Sequence, residues 1–134
     1  MFKLIKIINS GVNVPEFTKL EKPSSLTVKM GTALVVNGGL AEVCPDGTTP
    51  THIVAEAPKE NAEEVVCYEV NGNMRFETTV NSVPTELKVG NRVSLGFDSD
   101  GCAVCVGAYN ASGVATIVDL LGAKNVGDKV TVKF

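Results

Sequence analysis

Four cysteines, one histidine and one aspartate-rich turn are the side chains of this sequence with chemistry to offer. The cysteines are Cys44, Cys67, Cys102 and Cys105. Only the last two, in "GCAVCVG", have the spacing of a zinc or dithiol pair, and that spacing brings thiols together on a turn or at a helix start. Their Ala-Val filling reads as strand, where residues three apart point to opposite faces, and no second ligand pair accompanies them. The thiols are therefore expected as small buried hydrophobes.

The histidine, His52, sits in "TPTHIVAEA" at the start of an extended run. General-base work would require a nucleophile within hydrogen-bond reach and a group to orient the ring. No Gly-x-Ser-x-Gly elbow supplies the nucleophile. The aspartates of "DSDG", Asp98 and Asp100, resemble the start of a calcium loop, but Cys102 stands at the third ligand place and Tyr109 where the closing Glu belongs. This stretch reads as a hairpin turn. There is no Gly-x-Gly-x-x-Gly and no phosphate-binding loop, and Asn110-Ala111-Ser112 is a glycosylation sequon that has meaning only in a secreted chain. The residues thus assign no catalytic group, no metal ligand and no cofactor site, and a non-enzymatic protein is expected.

The elements around these residues are short and extended. From Leu26 onward turn signals recur regularly: "LTVKM", then "TALVV", then the tight turn "NGG", then "LAEV", then "CPDGTTP" before "THIVAEA". "EVVCYEV" is apolar on both faces and reads as a covered central strand, while "MRFETTV" alternates, with Met74, Phe76, Thr78 and Val80 on one face. "PKENAEEVV" is the one segment suited to a helical turn, and its acidic run suits a solvated face. The pattern predicts an all-β protein of roughly ten strands, a compact sandwich or small barrel of short antiparallel strands with little helix.

Residues 1–25 differ, with "FKLIKII" followed by a Pro- and Gly-containing stretch without sustained period. They read equally as an extended N-terminal arm and as a lead-in strand with a long loop. Residues 26–134 form the β-rich domain, with sub-parts expected at 26–83 and 84–134.

Composition narrows the function classes. A chain of 134 residues is the size of one domain, and 44% hydrophobic residues with only 5% aromatics place its core on Val, Leu, Ile and Ala. Its 12 Lys and Arg are scattered among 15 Asp and Glu, so no basic face addresses nucleic acid. No apolar run approaches the ~20 residues of a membrane span, and Lys3 and Lys6 interrupt the opening apolar run. The expectation is a soluble protein made in the cytoplasm that binds neither nucleic acid nor membrane.

Two phrases repeat. "VGNRVSLGF" from Val89 and "VGDKVTVKF" from Val126 share Val-Gly, an Asn or Asp, a cation, Val and a closing Phe. The residues between them have no counterpart outside them. Both are read as turns that open a strand, with Gly supplying positive φ, and not as copies of a binding motif.

Taken together, "MGTALVVNGGLAEVCPDGTTPTHIVAEAP", "VCYEVNGNMRFETTV", "LKVGNRVSLGFDSDG" and the closing "VGDKVTVKF" resemble the small head-decoration, or capsid cement, proteins of tailed bacteriophages. The resemblance is one of layout and short phrases, over roughly residues 26–134. It implies a structural protein of the virion, made in the bacterial cytoplasm, that binds the major capsid protein on the outer head surface, commonly as a trimer, and stabilises the shell. It also implies that an N-terminal segment contacts the shell, here Phe2, Leu4, Ile5, Ile7, Val12, Val14 and Phe17. A tail or fibre component, or a ligand-binding β-barrel using His52 with Asp98, Asp100 or the cysteines, are the alternative readings.

Overall fold

A computed structural model describes residues 1–8 and 16–134. Among them are eleven strands: β1 (Lys3–Ile7), β2 (Phe17–Glu21), β3 (Ala33–Asn37), β4 (Leu40–Val43), β5 (His52–Val54), β6 (Glu64–Glu69), β7 (Met74–Thr79), β8 (Arg92–Phe97), β9 (Ala103–Tyr109), β10 (Ala115–Asp119) and β11 (Lys129–Lys133). The one helical element among the described residues is a 3-10 turn at Pro84–Glu86. The protein is all-β.

The strands form two sheets. β2 to β6 close into a small barrel in the order β2-β4-β3-β5-β6, and the others form a six-stranded sheet in the order β1-β7-β11-β10-β8-β9. The six-stranded sheet is antiparallel throughout, whereas the barrel contains one parallel contact, β2 with β4, held at the single pair Glu21 and Leu40.

Period-two alternation explains how the sheets join. On β3, Leu34 belongs to the barrel interior with Val54, Val65 and Cys67, while its neighbour Ala33 turns the other way and joins Ile53 in the large core shared with the six-stranded sheet. That sheet contributes Phe76, Val93, Val106, Ile117, Val130 and Val132 to the shared core, and all six are almost completely buried. Aliphatic side chains fill most of this space, as the low aromatic content predicts.

The aromatic exceptions tie the two chain ends together. Phe134 lies edge-on to Phe2, with ring centroids 5.2 Å apart, and 5.6 Å from Phe76. Phe2 is only 2% exposed, and its N–H donates to the Gly31 carbonyl at 3.0 Å. Gly31 has a φ of +77°, and a Cβ there would collide with Met1 Cβ and the Phe2 backbone nitrogen, so the opening residues require glycine at this position.

Several expectations need correction. Of the two readings of residues 1–25, the described part shows strands: β1 pairs with β7 in the six-stranded sheet, and β2 pairs with β6 in the barrel. Within residues 26–134 the sheets change over between β6 and β7, and β7 is bonded to β1 and β11. Leu26–Met30 forms no strand. Its Lys29 N–H is satisfied by Thr32 Oγ1 at 3.1 Å, and Thr32 N–H returns to the Lys29 carbonyl, closing a turn. No helical turn forms in "PKENAEEVV", where Asn61 takes a left-handed φ of 58°.

The repeated phrases build one turn twice. Gly90 and Gly127 have φ of 89° and 91°. Each donates its N–H to a neighbouring segment, Gly90 to Ile117 at 2.8 Å and Gly127 to Val80 at 2.7 Å. The next residue's side chain accepts from the N–H three residues before it: Asn91 from Lys88 at 2.8 Å, Asp128 from Asn125 at 2.9 Å. The strands they open, β8 and β11, flank β10. The phrases are equivalent framework turns.

Candidate functional site

The thiols are spent on the fold. Burial pushes Cys67 up to about 12 and Cys44 up to about 11, the latter with help from Asp46, and it raises Cys105 as well. Thiolate, not thiol, is the nucleophile and metal ligand, so these shifts suppress both chemistries. Cys44 Sγ donates to the Thr48 carbonyl at 3.1 Å and Cys102 Sγ to that of Thr27 at 3.5 Å. All four are free and buried. Among the described residues no three His, Cys, Asp or Glu side chains are grouped to hold a metal ion.

His52 opens β5, and its Nδ1 lies 2.8 Å from Thr51 Oγ1. Burial lowers its pKa, against the opposing pull of Glu69 across the β5–β6 pair, so the ring is neutral at neutral pH. Thr51 is not poised as a nucleophile: its hydroxyl also reaches the Leu34 carbonyl at 3.4 Å, and the pair bridges β5 and β3. No carboxylate is hydrogen-bonded to the ring among the described residues.

The aspartate turn holds an internal cation. Asp98 Oδ1 accepts the N–H groups of Asp100 and Cys102, both at 3.0 Å, which is the hairpin geometry expected of the stretch. Its Oδ2 receives Lys29 Nζ at 2.9 Å, and the same ammonium contacts Asp100. The two carboxylates raise the Lys29 pKa far above its ordinary value, so the amine stays protonated and is no nucleophile. This contact joins the turn before the barrel's β3 to the β8–β9 hairpin. Asp46 makes a second junction, its Oδ1 accepting the Leu95 N–H at 3.1 Å. Sequence reasoning missed both because their partners lie 69 and 49 residues away.

The surface carries features of a different kind. One is an open groove of about 1080 Å³ over the outer face of β2 and β6, walled by the 56–64 segment. Phe17, Leu40 and Val66 supply apolar lining, and Glu21, Glu56 and Glu63 lie along it. Phe17 is 54% exposed and stacks on Tyr68 with centroids 5.3 Å apart. The sequence signal for the wall was "PKENAEEVV", read as a helical turn with a solvated acidic face.

The segment expected to contact a shell divides sharply. Phe2 is buried, and Leu4 and Ile7 pack against the shared core, because β1 is an integral strand. Ile5 and Phe17 turn outward, at 47% and 54% exposure. Val12 and Val14 lie outside the described residues.

No family model matches the chain, and searches of curated proteins and of solved structures returned no similar protein.

Proposed function

We propose that this protein is a non-enzymatic structural component of a tailed-phage particle that binds the outer surface of the head and stabilises the shell. The observation that carries the reading is the correspondence between the head-decoration phrases and the framework. The Gly-x-Ala-Leu phrase opens β3, the Gly-rich turn joins β3 to β4, the Pro-Thr-x-Ile phrase opens β5, the Phe-Glu phrase lies in β7 and the closing phrase is β11. Each of these phrases falls on a strand or on the turn beside it, which is compatible with a structural role.

In this reading the partner is the major capsid protein, the protein acts as a homo-oligomer, with a trimer expected, and Ile5 and Phe17 are the outward-facing members of the contact segment. A surface binder repeated over a symmetric lattice works through modest contacts, since neighbouring engaged copies raise the effective concentration. Incubation with expanded, undecorated heads followed by pelleting tests the reading. The protein should sediment with heads to a saturating, lattice-defined ratio, and Ile5→Asp with Phe17→Asp should weaken that binding. Protein left wholly in the supernatant overturns it.

A further inference from the structure

Cations that lie far apart in the sequence are gathered by strand register on the outer face of the six-stranded sheet. Lys6 pairs with Arg75, Lys133 lies one residue beyond the Val132–Phe76 pair and so beside Arg75, and Thr116 pairs with both Lys133 and Arg92. Their chain neighbours Ile7, Met74, Val132, Ala115 and Val93 belong to the shared core, so by alternation these five side chains point away from it. The result is a row of four cations and one threonine across β1, β7, β11, β10 and β8, about 19 Å long at ordinary strand spacing. In the adjoining rows Lys3 pairs with Glu77, Asp119 with Thr131, and Lys129 with Thr79. The face thus carries six of the chain's 12 Lys and Arg against two carboxylates, and Glu77 is already bonded to Lys129 at 2.7 Å. No cation of the row forms an ion pair among the described residues.

The barrel has the opposite sign. Residues 16–70 hold four Lys against nine Asp and Glu, in a chain whose net charge is −3. The densest acidic run is 56–64, where Glu56, Glu60, Glu63 and Glu64 are all exposed beside the single cation Lys59. Only Glu64 has an outside partner, Lys19 at 3.9 Å.

We propose that the basic row of one copy docks on the acidic 56–64 segment of a second copy of this chain. The row faces away from the core that the sheet shares with its own barrel, so the contact is made between copies. Opposite potentials on the two surfaces steer them together and fix which face meets which. Joining unlike surfaces, such a contact made head to tail closes into a ring where the rotation permits, and it supplies the homo-oligomer of the preceding reading with its surfaces. Nucleic acid is a poorer occupant, because the row holds no aromatic ring to stack on bases and the acidic barrel repels a long polyanion. Exposed ion pairs contribute little individually, so the association is weak and salt-sensitive.

The inference rests on the homo-oligomeric part of that reading and not on the head, so association in solution and sedimentation with heads can fail separately. The test is sedimentation velocity of the full chain at about 0.01 M and about 1 M salt, which screen charges beyond roughly 30 Å and 3 Å. The chain should associate at low salt and dissociate at high salt. Lys6→Glu with Lys133→Glu should weaken association about tenfold or more, and so should Glu60→Lys with Glu63→Lys. An equimolar mixture of these two variants should associate again, because the reversed row of one meets the reversed segment of the other. Lys88→Glu with Lys124→Glu, the same charge change in the turns before β8 and β11, should leave association unchanged. Lys6→Gln with Lys133→Gln removes charge without reversing it and should give an intermediate loss. The inference is overturned if the unaltered chain stays monomeric at low salt, or if its association is the same at high salt. It is equally overturned if the Gln pair associates like the unaltered chain, if the mixture of the two reversed variants, folded by circular dichroism, does not recover, or if the turn pair weakens association as much as the row pair.

Discussion

The barrel and the six-stranded sheet manage their strand edges in different ways. The barrel has closed on itself, which removes edges, but one side of the closure is the single parallel pair Glu21 and Leu40. The six-stranded sheet stays open and protects its edges locally. On β1, a bulge between Leu4 and Lys6 and the charges of Lys3 and Lys6 blunt the edge. On β9, Val106 forms a bridge with Val80 and accepts the Asn81 N–H at 2.9 Å, while Thr78 Oγ1 donates to the Val104 carbonyl at 3.0 Å. Both regions still turn large apolar side chains outward, Ile5, Phe97 and Tyr109 on the sheet and Phe17, Val36 and Leu40 on the barrel. The barrel leaves an outer face that closure does not use, and the groove lies there.

If the shared core unites the two sheets, its loss should unfold both. Phe76→Ala removes a fully buried ring from that core and should cost about 3–5 kcal/mol, seen as a lower urea midpoint in one cooperative transition. Separate transitions for the two sheets would break the comparison. Leu34→Ala, inside the barrel alone, should cost about 2–5 kcal/mol and lower the midpoint of the same single transition.

Glycine substitutions sharpen the same contrast on a smaller scale. Gly31→Ala meets both left-handed strain and the collision with the opening residues, so it should exceed the ~1–2 kcal/mol of left-handed strain alone. Gly47→Ala, with φ +82° in open space, should stay near that strain cost. Thermal denaturation of the two variants compares them directly, and equal losses would remove Gly31 from the junction between the sheets.

The cysteines report each region from within. Native protein should resist a thiol reagent, and in mild urea Cys67 of the barrel should react before Cys105 of the sheet, because the barrel's closure is the thinner. Simultaneous labelling would mean that the barrel never opens by itself.

The smallest effect concerns the ionic contacts. Lys29 and then the backbone N–H of Cys102 hold the Asp98 pKa below its ordinary value, and the N–H groups of Lys124 and Asn125 do the same for Asp128. A carboxylate whose folded pKa is depressed stabilises the fold fully above its unfolded value of about 3.9, and the contribution is lost as pH falls through the folded value. The lowered His52 contributes in the same sense at higher pH: its share is present above about 6.5 and fades as pH falls through its folded value. Melting temperature should therefore dip slightly below neutral pH and fall more clearly below about pH 4. Lys29→Ala should flatten part of the lower limb while changing stability little at neutral pH, since the ammonium and Asp100 are exposed.

Much of the framework was legible because its signals are local. Asn-Gly-Gly gives the β3–β4 hairpin, and the alternation around Phe76 gives β7 with its buried face. Pairings between distant segments were not. Nothing in "FKLIKII" announces β7 as its partner, and nothing near Glu21 announces Leu40. "LTVKM" has a strand's alternation, but Thr32 satisfies the Lys29 N–H and Gly31 bends the chain beneath Met1. The groove was hidden for the same reason, since it joins Phe17 to residues of the 56–66 stretch only after β2 pairs with β6.

The central proposal is that this chain adheres to a phage head, and the most direct measurement is quantitative mass spectrometry of purified phage particles from cells that make the protein. The account predicts the protein in a fixed, high ratio to the major capsid protein, retained on tail-free heads. Its absence from particles, or its presence only in the tail fraction, would contradict the claim.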